Sequence, residues 1–363
     1  MGELFMSHKL NIEKIKNDKS SNDIIADIFY YCVTGEMVSI EDLERFKWHG
    51  IYVENEDQTS FRLKIPLPLG ELNLLQLKTI LELLKRFNLN EVNFNEGQKL
   101  EFRNIKLSTI PNIFNILQES SLSSFFESGH SIKNVLTCPV NGLDSTQLFD
   151  VEDLANKLNY TFVGNKNFFN LPNSLQFAIS GYPEGCDAGI IPDVSFNARK
   201  NLKDKIVFEI KVGSTSIGNI AYSQVIPTAR AIANIYKDYG QREDYSSTDF
   251  KSFIDNLELI NFSHILSSML DFKIFDSSLI NSNIEPKKPR MGIHKSAKDG
   301  FSYIGLNSKY KSFTQNKLEE FIKSLEENQA SRIKITHKSN IIILDAPSKN
   351  SENLHSNLLE IEL

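Results

Sequence analysis

The chain has 363 residues, a formal net charge of −6, 40% hydrophobic residues and 25 phenylalanines, enough to bury a sizeable core and too apolar for wholesale disorder. The acid excess leaves no global attraction to phosphate backbones, and no apolar run approaches the roughly 20 residues that cross a bilayer. The basic clusters Lys287/Lys288/Arg290 and Lys334/His337/Lys338 are short and read as solvated surface. Neither nucleic acid nor membrane is therefore an expected partner, and the location expected is cytoplasmic.

In chain order, residues 1–25 are polar and charged, so 1–44 reads as an N-terminal extension, partly disordered. From Phe61 to Ile105 an alternating strand, a helix with apolar residues three and four apart, and two strands joined by a polar turn follow one another. The order recurs from Phe301 to Leu344. Phe61 and Leu63 align with Phe301 and Tyr303. After a one-residue shift, Leu72, Leu77, Leu81, Leu84, Val92, Phe94, Leu100 and Phe102 align with Phe313, Leu318, Ile322, Leu325, Ile333, Ile335, Ile341 and Ile343. Ser312 or Thr314 can cap the second helix, with Glu319 and Glu320 favouring its first turns. A β-α-β-β unit leaves one sheet face and one edge to cover, so the two copies are expected to pair into one domain.

Between the copies lie a predicted helix at 150–158, strands at 174–180 and 205–213, a helix at 227–237 and further helix over 250–270. NSNIEPKKPR (281–290) reads as the linker back to the second copy. The fold class expected is α+β, with an α/β domain inserted between two half-domains. The boundaries are 45–120, 125–285 and 290–348, followed by a tail at 349–363. Cys32, Cys138 and Cys186 are far apart, which suits a reducing compartment and lacks the close-spaced thiolates of zinc or iron-sulfur sites.

Three segments of the middle region carry a resemblance. GHSIKNVLTCPVNGLD (129–144), LPNSLQFAISGYPEGCDAGIIPDVSF (171–196) and YGQREDYSSTDFKSFIDNL (239–257) resemble, in order and spacing, successive signatures of the siroheme nitrite and sulfite reductase family. The two repeats resemble that family's ferredoxin-like half-domains, GIHKSAKDGFSYIGL (292–306) resembles the entry to the second, and the likeness runs over about 45–345.

The resemblance implies siroheme and, from a further α/β domain with C-x5-C and C-x3-C segments, a coupled 4Fe-4S cluster. The chain stops just after the second half-domain, so it is expected to be a truncated member with no cluster of its own. Cys138 and Cys186 fall at symmetry counterparts of cluster ligands, and both are read as small apolar groups.

Siroheme carries eight carboxylates, and reduction of its oxyanion ligand consumes six electrons with protons, so cations should gather there. Where the family places four, this chain has Gly97, Lys133, Ser174 and Gln176. Candidate contacts to a tetrapyrrole are therefore Lys133 (also the one candidate catalytic residue) and its neighbour Asn134, with Arg103, Arg199 and Lys338; Lys200, Arg242, His130 and His337 lie near the matching segments.

Each lost charge-assisted contact costs about 1.5–3 kcal/mol. The leading expectation is thus a degenerate, non-catalytic binding or assembly subunit. Its alternatives are the heme-side subunit of a split nitrite or sulfite reductase, completed by a separate 4Fe-4S chain, and a tetrapyrrole-binding protein. The face turned toward a cluster half should be covered by a second copy or a heteromeric partner.

Overall fold

The computed structural model describes residues 10–20, 23–95, 97–126, 129–182, 191–243, 248–275, 290–306, 312–336 and 340–361. The chain begins with three helices, α1 (Ile12–Asp18), α2 (Ile24–Thr34) and α3 (Ile40–Phe46). Asn11 and Ser39 cap the first and third by accepting the amides of Lys14 and Asp42. Ile24 and Ile28, one turn apart, are fully buried in the main core. Lys16 Nζ donates to the Leu171 carbonyl at 2.9 Å, and Arg45 pairs with Asp42 at 2.7 Å. The expectation of a frayed N-terminus is corrected for these residues: α2 is apolar over most of its length and sets Ile24 and Ile28 against the core.

The first copy follows as β1 (Ile51–Val53), β2 (Phe61–Pro66), β3 (Glu71–Asn73), α4 (Leu74–Arg86), β4 (Glu91–Asn95) and β5 (Lys99–Ile105), then α5 (Ile110–Glu119). The middle unit comprises β6 (Leu136–Thr137), α6 (Glu152–Phe162), β7 (Phe177–Ser180), β8 (Val194–Lys200), β9 (Ile206–Val212), β10 (Thr215–Ile220), α7 (Val225–Tyr239), α8 (Phe250–Leu257) and α9 (Leu259–Met269). The second copy is β11 (Gly292–Lys295), β12 (Phe301–Leu306), β13 (Ser312–Thr314), α10 (Gln315–Glu327), β14 (Arg332–Ile335) and β15 (Ile341–Pro347), closed by α11 (Ser351–Glu360). Among the described residues, no helix is long and apolar enough to cross a membrane.

The two copies complete each other's sheets. One runs β1-β2-β5-β4-β13 and the other β11-β12-β15-β14-β3, so each ends on a strand donated by the opposite copy. Phe313 pairs with Val92 and Leu72 with Ile333, the same exchange made twice, since Leu72 aligns with Phe313 and Val92 with Ile333. The donated strand leads directly into a helix in each case. Asn73 caps α4 in a reciprocal box with Gln76, and Thr314, not Ser312, caps α10; Ser312 lies in β13. Edges β4 and β14 are thereby closed, and Phe313 packs 4.9 Å from Phe94 and 5.4 Å from Phe321, ring centre to ring centre.

One core contains residues of both copies and of the flanking helices. It includes Leu354 and Leu358 of α11, both fully buried, so the segment expected to be a tail is a docked helix. The middle unit has its own core on a sheet ordered β10-β9-β8-β7-β6, with β6, β7 and β8 parallel and β9 and β10 antiparallel. Phe162, Phe177 and Phe196 stack through it, 5.3 and 6.3 Å apart. Strands β8 and β10 were not anticipated. In β8 five successive positions are buried, although Val194 to Arg199 alternate apolar and polar, a strand signal that was present in the sequence. The helical run over 250–270 is broken at Glu258, whose φ of +66° turns α8 into α9. Leu69, on the first copy's β2–β3 turn, crosses into the middle core.

Candidate functional site

Two of the segments that carry the family resemblance, 129–144 and 171–196, meet at the start of β7. An Ile132–Leu175 bridge lays residues 131–134 alongside 174–176, and the Lys133 amide donates to the Leu175 carbonyl at 3.0 Å. The Gln176 side chain donates to the Asn134 carbonyl at 2.6 Å, while its backbone amide donates to Asp193 Oδ2 at 2.8 Å. Burial pushes the Asp193 carboxyl above its ordinary range; the Gln176 amide and the Lys133 charge oppose that rise. Lys133, Asn134, Ser174 and Gln176 thus come together as the segments suggested. The ammonium nearby already has a carboxylate in its field, and the Gln176 amide is spent on the backbone.

Gly97 sits elsewhere, on the hairpin tip between β4 and β5, at a φ of +78° and followed by Gln98 at +61°. Gln98 anchors that tip by donating to the Ile335 carbonyl of the second copy at 3.0 Å. Gly70 makes the contact feasible, since a Cβ there would stand 2.4 Å from Gln98 Nε2. Among the described residues, a Cβ at Gly97 would meet nothing closer than Lys99 Cε at 3.7 Å.

The other candidate cations are committed to structural pairs. Arg103 Nε lies 2.6 Å from Glu101, a carboxylate buried in the same strand. Arg199 makes two contacts to Glu209 Oε2, at 3.0 and 2.7 Å, across the β8–β9 pair. Lys200 pairs with Asp204, and Arg242 holds Glu13 and Asn170, tying α1 to the middle unit. His130 is buried and donates from Nδ1 to the Pro172 carbonyl; burial, aided by the Lys16 charge, depresses it to about 4. Neutral imidazole is the form that this site favours. Lys338, His337 and Cys186 lie outside the described residues.

Sequence reasoning missed a second cluster, at the junction of the middle unit with the second copy. Arg290 Nη1 lies 2.5 Å from the buried Cys138 Sγ and its guanidinium stands over the Tyr182 ring at 5.2 Å. Tyr303, Ile342 and Leu344 of the second copy pack into the same patch. Burial first, with Asp144 and Cys138 nearby, pushes the Tyr303 hydroxyl up to about 12. Beside this patch Lys334 Nζ reaches Thr137 Oγ1 at 2.8 Å and Glu71 at 3.7 Å, with its side chain only 3% exposed. The solvated reading of the clusters containing Arg290 and Lys334 is therefore corrected for these two residues. The available signal was strand alternation: Lys334 lies between Ile333 and Ile335, on the sheet face opposite the shared core. Among the described residues no group of His, Cys, Asp and Glu is arranged to hold a metal ion.

Comparison with known proteins agrees with the segment resemblance. A model of the nitrite/sulfite reductase ferredoxin-like half domain matches residues 53–120, and one of the nitrite and sulphite reductase 4Fe-4S domain matches 128–274. The chain is 25% identical to the ferredoxin–nitrite reductase of Synechococcus elongatus over 94% of its own length and 70% of that protein's. It is 23% identical to the assimilatory ferredoxin-dependent nitrite reductase of Haloferax mediterranei, over 84% of this chain and 58% of that one. The Mycobacterium tuberculosis NirA structure shares the fold with a TM-score of 0.86 at 20% identity, covering 97% of this chain and 69% of NirA.

Proposed function

Because this chain belongs to the nitrite and sulfite reductase family, we propose that it contributes the ferredoxin-like pair and one α/β unit to a reductase-type assembly, as a binding or assembly subunit without reductase activity of its own. The chain spans 58–70% of the length of the two nitrite reductases just named, so their activity is carried here only as a proposal. The observation that supports the reading is the donor set at the start of β7: one ammonium beside a carboxylate, a hydroxyl and two amides.

That set does not fit a macrocycle bearing eight carboxylates. Arg103 and Arg199, the arginines offered in compensation, are paired with Glu101 and Glu209. Pulling either away leaves a largely buried carboxylate without its cation, a cost of about 3–5 kcal/mol in a buried pair and less at the half-exposed Arg103. Siroheme is accordingly expected to bind the isolated chain weakly. Three thiols without close spacing argue against a 4Fe-4S cluster in it.

A second reading, the heme-side part of a split reductase, is favoured by the ferredoxin–nitrite reductases that align with 81–95% of this chain. Anaerobic titration of the purified chain with siroheme, followed by gel filtration and assay of nitrite and sulfite reduction with a chemical electron donor, separates the two. The expected result is no retained Soret band and no turnover. A stoichiometric band with turnover on adding a cluster-bearing chain would replace the first reading with the second.

A further inference from the structure

A cleft of about 670 Å³ opens on the middle unit, between the end of the 171–196 segment, the β9–β10 turn and the 239–257 segment. Its walls are the approach to β8 at Ile191–Asp193, the turn between β9 and β10, and the face of α8 bearing Phe250, Ile254 and Asp255, with Glu258 and Leu259 at the α8–α9 junction. The turn is pinned in place: the Gly213 amide donates to the Asp193 carbonyl at 2.8 Å, and Val212 pairs with Val194. The cleft is therefore bounded by a sheet end and a helix, and its size falls in the range of small-molecule sites, about 300–1,000 Å³.

Its lining combines two chemistries. Phe250 and Val212 are buried, Ile254 and Leu259 are half-buried, and Ile191 is 73% exposed at the mouth. Three carboxylates, Asp193, Asp255 and Glu258, share the lining with a single ammonium, Lys251, and the Ser214 and Thr215 hydroxyls. Asp255 and Glu258 are exposed, which places negative charge at the rim; Asp193, deeper in, already accepts the Gln176 amide and lies in the field of Lys133. An anion entering here would meet a net negative field at short range. A hydrocarbon stem ending in a cation would cover the apolar walls and carry its charge to the carboxylates, as long basic side chains do on protein surfaces.

We propose that this cleft binds a small organic cation, a primary amine or guanidine on a hydrocarbon stem. Methyl-labelled protein titrated with cadaverine tests it, with pentanediol and glutarate as neutral and anionic probes of the same length. Cadaverine should shift the methyl resonances of Ile191, Ile254 and Leu259, and the other two probes should not. The double variant Asp255→Asn/Glu258→Gln should weaken cadaverine about tenfold or more. An equal change of net charge on α10, Glu320→Gln/Glu327→Gln, should leave binding as it is. Absence of shifts, equal shifts with pentanediol or glutarate, or equal weakening by the α10 variant would each overturn the proposal. Retained binding in Asp255→Asn/Glu258→Gln would overturn the assignment of the cation to these carboxylates.

Discussion

The two ferredoxin-like copies exchange equivalent strands yet treat an equivalent polar position in opposite ways. Asn93 follows Val92 and Lys334 follows Ile333, and the two apolar residues occupy matching places in the reciprocal pairing. Among the described residues the buried Asn93 Nδ2 has no hydrogen-bond partner, whereas Lys334 reaches both the middle unit, at Thr137, and the donated strand of the first copy, at Glu71. The apolar register is a property of the repeat. The polar positions answer to whatever covers each sheet, and the middle unit supplies a hydroxyl to one copy's sheet at this position.

The largest effect should come from the exchanged strands themselves. Phe313→Ala removes a fully buried ring from between Phe94 and Phe321 and should cost about 3–5 kcal/mol, and Leu72→Ala about 2–5 kcal/mol, by denaturant unfolding. Loss of less than about 1 kcal/mol in either would break the equivalence of the two exchanges.

Acid should single out the side of the molecule that carries α1. His130 is depressed from 6.5 to about 4, so below pH 6.5 the unfolded chain takes up a proton that the folded chain refuses until about pH 4. Its stabilising contribution is complete above pH 6.5 and is lost as pH falls through that window, by up to about 3 kcal/mol. Replacing His130 with Asn should flatten this part of the pH profile.

Lys334→Ala should destabilise by about 2 kcal/mol, below the usual figure for a broken buried pair because Glu71 keeps Arg332 at 2.6 Å. Lys334→Met, which keeps the volume, should cost less. If Lys334→Met costs nothing while Lys334→Ala destabilises, packing of the stem and not the ammonium contacts joins this copy to the middle unit. The smallest contrast concerns the helix caps. Asn73→Ala breaks a reciprocal box and should cost about 1 kcal/mol, while Thr314→Ala loses a single long contact of 3.4 Å and should cost roughly half as much. Thermal unfolding of the two variants side by side measures the difference.

What could be read from the chain alone was whatever depends on periodicity and order: the repeated apolar positions, the helix that follows each donated strand, Thr314 as one of two candidate caps, and the motif series that marks the family. These are local or repeated features, and the apolar register is stated twice, once in each copy. Tertiary structure decided the fate of the charges. Arg103 is committed to Glu101 on its own strand, Arg199 to Glu209 across a β-pair, and Lys334 to groups 197 and 263 residues away in Thr137 and Glu71. Even α11, polar over most of its length, is held by Leu354 and Leu358, which meet apolar surface made elsewhere. A side chain's partner and burial are set by segments distant in sequence, and no spacing rule within one segment contains them.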